Sequence, residues 1–291
     1  MKYDRLVVPP GKKVRLKDYD PGYTGDYKDK EEARAKLESD IGRLAKLQDK
    51  LYAQNTRALL IIFQAMDAAG KDSAIKHVMS GVNPQGTQVS SFKVPSAEEL
   101  DHDFLWRYCK ALPERGRIGI FNRSYYEETL VVRVHPELLQ LQQLPRESLK
   151  KNIWKQRFED INNFERYLVR NGIEVLKFFL NVSKEEQRRR FLARINTAEK
   201  NWKFSFNDAK ERRHWNDYMK AFESVFRNTS TERAPWHIIP ADQKWFTHAA
   251  VADIIISKLK SLKLAYPVVS PDRLEELAKA KELLENEPAG D

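Results

Sequence analysis

The segment Asp67-Ala-Ala-Gly-Lys71 carries the strongest chemical signal in the chain. A glycine turn between a buried strand and a helix exposes backbone N–H groups. The helix N-terminus adds partial positive charge and Lys71 a full one, so the turn forms a phosphate cradle. Two positions depart from the usual phosphate-loop pattern. Ala65 stands six residues before the lysine, where glycine is usual, and Asp72 follows it, where Ser or Thr would bind magnesium. An ordinary strand-to-helix turn would also hold a lone Gly-Lys. Asp67 adds weight to the phosphate reading, because a carboxylate beside a phosphate cradle calls for a cation between them. Magnesium takes oxygen ligands and bridges phosphates; the alternative is that Asp67 caps the turn.

Two further clusters fit phosphoryl transfer, which needs charge neutralisation and little covalent chemistry. Asn122-Arg123-Ser124-Tyr125-Tyr126 follows the apolar run Arg117–Phe121. Asn122 stands where a magnesium-binding Asp is usual, and Arg123 would face the phosphates. Gln187-Arg188-Arg189-Arg190 and Arg194 lead into Lys200-Asn-Trp-Lys-Phe-Ser205. Arg190 and Arg194, four apart, share a helix face. A basic helix followed by a basic loop suits a lid over phosphates at about residues 190–206; a solvated helix without a role is the plainer reading.

The elements that must position these residues alternate. Apolar runs at 57–66, 87–93, 117–121, 174–182 and 236–240 predict five strands. Helices are expected at 29–53, from Lys71 to about Ser80, and at 97–112, 125–134, 145–170, 183–195, behind Ser205, at 245–262 and at 271–284. Ser183 with Glu186, and Ser205 with Asp208, are candidate capping boxes. Alternating strands and helices predict an α/β fold with a parallel sheet covered on both faces. Residues 1–28 read as an extended arm packed on the body, 29–285 as one domain and 286–291 as a frayed tail.

Composition narrows the class. The 291 residues are 41% apolar, 11% aromatic and 32% charged, which suits a folded chain with a sizeable core. No apolar run is long enough for a transmembrane helix, no signal peptide is evident, and Cys109 is the single cysteine. A cytoplasmic protein is expected, with no membrane partner. The net charge of +9 attracts polyanions.

Together Asp67–Lys71, Phe121–Tyr126, Lys200–Ser205, Ala234-Pro-Trp236 and Pro240-Ala-Asp242 resemble the polyphosphate kinase 2 family. The resemblance runs from about residue 30 to 265. It implies a P-loop kinase fold like thymidylate kinase, three-layered and with a helical lid. It also implies reversible phosphoryl transfer between inorganic polyphosphate and nucleotides, using Mg2+ or Mn2+. Asp67 and Lys71 would be the Walker A carboxylate and lysine, Arg123 the Walker B arginine and Arg194 a lid arginine, with Asn122 beside them. Ala68, Ala69, Gly70, Asp72, Ser73, Lys76, Arg133, Arg190, Lys200 and Lys203 are expected to bind phosphate or polyphosphate. Lys93 and Glu127 are expected on the nucleotide, and Asp67 and Glu127 on the metal. Asn122, with Gln64-Ala-Met-Asp67, is similar to the subgroup that phosphorylates both AMP and ADP. A homodimer or homotetramer is expected. The rivals are an ATP-dependent nucleotide kinase of the same fold and a non-catalytic basic protein that binds nucleic acid. The latter would need exposed aromatic-basic interleaving, and most aromatics here lie in apolar stripes, so no nucleic-acid partner is expected.

Overall fold

A computed structural model of the chain describes residues 3–149 and 152–287. Its strands among the described residues are β1 (Ala58–Ala65), β2 (Thr87–Ser91), β3 (Ile118–Asn122), β4 (Ile173–Asn181) and β5 (Trp236–Pro240). All pairings are parallel, in the order β2-β3-β1-β4-β5. Every residue of β1 is buried, as a run of Leu, Ile and Phe without alternation requires of a central strand covered on both faces.

The helices are α1 (Lys30–Gln54), α2 (Lys71–Val78), α3 (Ala97–Leu100), α4 (Trp106–Cys109), α5 (Val131–Val134), α6 (Ile153–Arg170), α7 (Lys184–Ile195), α8 (Phe206–Glu211), α9 (Trp215–Thr229), α10 (Lys244–Ser261) and α11 (Pro271–Glu285). One packed group joins α1, α2 and α10, and another joins α5, α6 and α9; both rest on the sheet. The expected three-layer α/β architecture is present. Parallel strands send β1 into the Asp67–Lys71 turn, β3 into Arg123 and β4 toward α7 at one shared edge, where such sheets bind ligands.

The arm crosses β5. Val7 pairs antiparallel with His237, and the Val8 amide donates to the Trp236 carbonyl at 2.8 Å. The arm's own Leu6, Val8, Val14 and Leu16 are buried in the core. The outer edge of β5 is thereby covered, which removes a template for strand pairing.

Several expected helices are shorter or broken. The 97–112 helix is split into α3 and α4, because the Asp103 carboxylate accepts from the Leu105 amide at 2.9 Å and starts the chain on a new turn. The 125–134 helix is a 3-10 turn, Tyr125–Thr129, followed by α5. There the Ser124 hydroxyl accepts from the Tyr126 amide and the Thr129 hydroxyl donates to the Tyr126 carbonyl, in competition with helical bonding. The expected long helix from Pro145 begins at Ile153, after a 3-10 turn at Arg146–Ser148. Residues 150–151 of that expectation, and 288–291 of the expected tail, lie outside the described residues. The Ser183 capping box is half formed: its hydroxyl accepts from the Glu186 amide, but Asp242 takes the Ser183 amide. At Ser205 the hydroxyl accepts from the Asn207 amide, so Asp208 closes no box.

Candidate active site

The turn after β1 is held in a shape few residues adopt unaided. Gly70 caps α2 at φ +112° and Ala68 lies at φ +59°, both in the left-handed region. Lys71 begins α2, nearly buried, and its Nζ donates to the Ala65 carbonyl at 3.3 Å. Burial, then the nearby Arg123 guanidinium, pushes its pKa down to about 8. The Asp67 carbonyl accepts from Gln187 Nε2 at 2.9 Å, which ties the turn to α7.

Arg123 also sits at positive φ, +67°, with its amide on the Phe63 carbonyl at 3.0 Å. Its guanidinium joins Asp67 to Glu127, the latter at 3.2 Å. Those charges, Glu127 first, hold its pKa above the usual arginine value. Asn122 Nδ2 donates to Asp72 Oδ1 at 2.7 Å. The residue in the usual magnesium-binding position and the residue after the lysine thus hold each other.

Arg190 differs from its expected role on polyphosphate. Its guanidinium donates to the carbonyls of Ala68 (3.0 Å), Ala69 (2.7 Å), Ala241 (2.6 Å) and Asp242 (3.1 Å), and Nε pairs with Glu186. A planar fork with five donors can satisfy several inward-facing carbonyls at once. Arg190 therefore clamps the phosphate loop to the segment after β5 and has few donors left for a ligand.

These groups surround an open cavity of about 690 Å³. Asp67, Ala68, Gly70, Lys71, Asp72, Ser73, Lys93, Asn122, Arg123, Arg190, Arg194, Lys200 and Lys203, all expected at the site, meet on its wall. Ala69, Lys76, Arg133 and Glu127 do not. Ala69 turns its carbonyl to Arg190, Lys76 points to solvent from α2, Arg133 donates to Ser224 Oγ at 2.8 Å, and Glu127 lies behind Arg123. Sequence reasoning missed Phe92, Asp208 and Lys244, which also line the cavity. Phe92 could have been found from its place at the carboxyl end of a parallel strand. Lys244 follows Pro240-Ala-Asp242 at the start of α10, and only the fold brings it beside α7.

Charge on the wall is unbalanced. Lys71, Lys93, Arg194, Lys200, Lys203 and Lys244 enter no ion pair among the described residues, whereas Arg123, Arg189 and Arg190 are paired. Burial, with Arg190, Arg194 and Lys200 nearby, lowers the pKa of Lys244. Burial, then the Asp67 charge, raises that of Asp208. Among the described residues no three His, Cys, Asp or Glu side chains cluster as a complete metal cage. Asp67 and Asp72 each have one carboxylate oxygen free of the hydrogen bonds above. One or two carboxylates beside a phosphate site suit magnesium, which draws its other ligands from phosphates and water.

Comparison with known proteins gives the family and agrees with the fold. The family model for polyphosphate kinase 2 (PPK2) matches residues 27–266. An ADP-polyphosphate phosphotransferase of Rhodopseudomonas palustris is 50% identical over 285 residues, covering 98% of this chain and 99% of that one. An AMP/ADP-polyphosphate phosphotransferase of Meiothermus ruber is 41% identical over 89% of this chain and 94% of its own. The crystal structure of polyphosphate kinase 2 from Arthrobacter aurescens TC1 superposes with a TM-score of 0.87 at 39% identity, covering 96% of each chain.

Proposed function

The chain belongs to the polyphosphate kinase 2 family and is a polyphosphate:nucleotide phosphotransferase, and from that premise we propose that it phosphorylates both AMP and ADP at the Asp67–Arg123 site. The observation that carries this reading is the set of six cations without ion pairs, Lys71 among them, on the wall of one cavity. A polyanion satisfies them.

Lys71 and Arg123 lie where a transferred phosphoryl group would carry its spread negative charge, and they stabilise it without reorganising. Asp67 aims Arg123 and Asn122 aims Asp72. Arg190 and Gln187 keep the loop's N–H groups pointed at the phosphate by holding its carbonyls from behind. The free oxygens of Asp67 and Asp72 would hold a magnesium ion, which would supply charge neutralisation on the phosphates. Glu127, committed to Arg123, orients that guanidinium. The relatives named for ADP and for AMP/ADP support the two acceptors.

The test offers polyphosphate with AMP, polyphosphate with ADP, and ATP with AMP to the purified chain and to Lys71→Ala. Transfer from polyphosphate to both acceptors is expected, with a loss of about 100-fold or more in the variant, the usual scale for a transition-state charge partner. Activity with ATP and none with polyphosphate would replace this reading by an ATP-dependent kinase.

A further inference from the structure

Behind the cavity lies a buried ion pair that the chemistry proposed above does not use. Lys177 of β4 and Glu165 of α6 are both buried. Lys177 Nζ donates to Glu165 Oε2 at 2.6 Å, to the Thr229 carbonyl at the end of α9 at 2.7 Å and to the Tyr126 hydroxyl at 3.0 Å. All three of its N–H groups are thereby used. The other carboxylate oxygen, Glu165 Oε1, accepts from the Tyr125 hydroxyl at 2.9 Å and the Tyr126 hydroxyl at 2.7 Å. Burial pushes both phenols well above their usual pKa, so they remain donors.

These two tyrosines belong to the turn that carries Arg123. At φ +67°, Arg123 holds a conformation that a non-glycine residue keeps only where its surroundings over-determine it. The buried Ser124 hydroxyl accepts from Gln64 Nε2 of β1 at 3.2 Å and from the Tyr126 amide at 3.3 Å. Glu127, which orients the guanidinium, follows Tyr126 on the same 3-10 turn. The backbone of Arg123 and its carboxylate partner therefore ride on one segment, pegged by two ring hydroxyls. Apolar packing is non-directional and would let the rings slide. Hydrogen bonds to one carboxylate oxygen fix where the ring ends lie. A buried ion pair contributes little to stability, because desolvation offsets its attraction; direction is what this geometry supplies.

We infer that Glu165 is a positioning residue for Arg123, acting through the hydroxyls of Tyr125 and Tyr126, with Lys177 as its buried counter-charge. This rests on the role proposed for Arg123 in phosphoryl transfer. Neither Glu165 nor Lys177 lines the cavity, so both act without touching substrate.

The experiment measures kcat, the KM values for AMP and polyphosphate, and thermal stability. It compares the parent, Tyr125→Phe with Tyr126→Phe, and Arg123→Lys with and without those two changes. Phenylalanine keeps the rings and removes only the hydroxyls. A misaimed guanidinium predicts a kcat lower by about 10-fold or more, with both KM values within about twofold. Each tyrosine change alone, milder for the fold, should show part of that loss. In the Arg123→Lys background, itself slow, the tyrosine changes should cost less than about threefold, because the group they aim is gone. Two neutral replacements of the ion pair separate aim from stability. Glu165→Gln with Lys177→Met keeps an acceptor oxygen for the hydroxyls and should hold kcat within about threefold of the parent, whereas Glu165→Leu with Lys177→Met should fall as far as the tyrosine pair. Lower thermal stability with kcat unchanged would make the network merely structural and overturn the inference. Equal losses in both Arg123 backgrounds, or a Gln pair as slow as the Leu pair, would overturn it too. If Arg123→Lys is as active as the parent, the role proposed for Arg123 falls and the inference with it. If that variant is slow and the tyrosine variants are not, the inference alone fails.

Discussion

Lys71 is nearly buried against the Ala65 carbonyl, and its lowered pKa has consequences that depend on pH. Between about 8 and the ordinary value of 10.5 the unfolded chain holds a proton that the native chain has released. This group therefore disfavours the fold below that window, and its penalty fades as pH rises through it. On the role proposed for Lys71 activity moves the other way, because the cation is the form that stabilises the phosphoryl group. We expect kcat/KM to fall above about pH 8. The kcat limb should lie higher, since bound phosphate favours the charged amine. A pH–rate series from 6.5 to 10 checks this; a flat kcat/KM through pH 9.5 would remove Lys71 from the titrating set. Arg190 shows where residue-level reading stops. Arg188, Arg189 and Arg190 are alike in type, and only helical phase separates them. Gln187 and Arg190, three apart, face the phosphate loop and are buried, while Arg188 and Arg189 reach back to Glu185 and Glu186 at the surface. A side chain that reads as a phosphate ligand is a clamp on the Asp67–Lys71 loop.

At the level of elements, the parallel sheet was readable because β1, β4 and β5 are mainly apolar without alternation, as strands covered on both faces are, and all three are buried almost throughout. The phosphate loop was readable because its glycine and lysine follow such a run. The breaks at Asp103 and after Ser124 were not, since they arise from side chains that take backbone partners, and helical periodicity does not register that competition. The expected lid at 190–206 divides in two. Its first turn belongs to the body through Arg190. Beyond it, Asn201 Nδ2 donates to the Arg194 and Ile195 carbonyls at 2.8 and 2.7 Å, and Phe204 meets Phe191 edge-on at 6.0 Å. Most of residues 196–207 is exposed, in a short 3-10 turn, Ala198–Lys203, and the start of α8. Hydrogen exchange should show strong protection at Arg190 in all states. Residues 196–207 should exchange fast in the free protein and slow with polyphosphate and nucleotide together. Equal protection of 196–207 with and without ligands would make the segment a fixed part of the scaffold.

Across the whole molecule, a net charge of +9 and six cations without ion pairs in one cavity predict binding governed by counterion release. Each phosphate contact on a single-stranded polyanion contributes a slope of about −0.7 in log K against log salt, so contacts from Arg194, Lys200, Lys203 and Lys244 give about −2.8. Titration with long-chain polyphosphate at several salt concentrations measures it, and a slope near zero would show that these side chains do not touch the chain. The arm across β5 has a practical reading. The family match begins at residue 27, so a worker trimming the protein for immobilisation or fusion would be tempted to cut there. The fold begins earlier. Removing the first two dozen residues would strip Val7 and Val8 from His237 and Trp236, take the buried Leu6, Val8, Val14 and Leu16 out of the core and bare the surface they cover. The product would carry an adhesive strand edge and would be prone to form insoluble aggregates. A tag or tether belongs at the opposite terminus, beyond α11, where no residue of the helix is buried and nothing in the core depends on it.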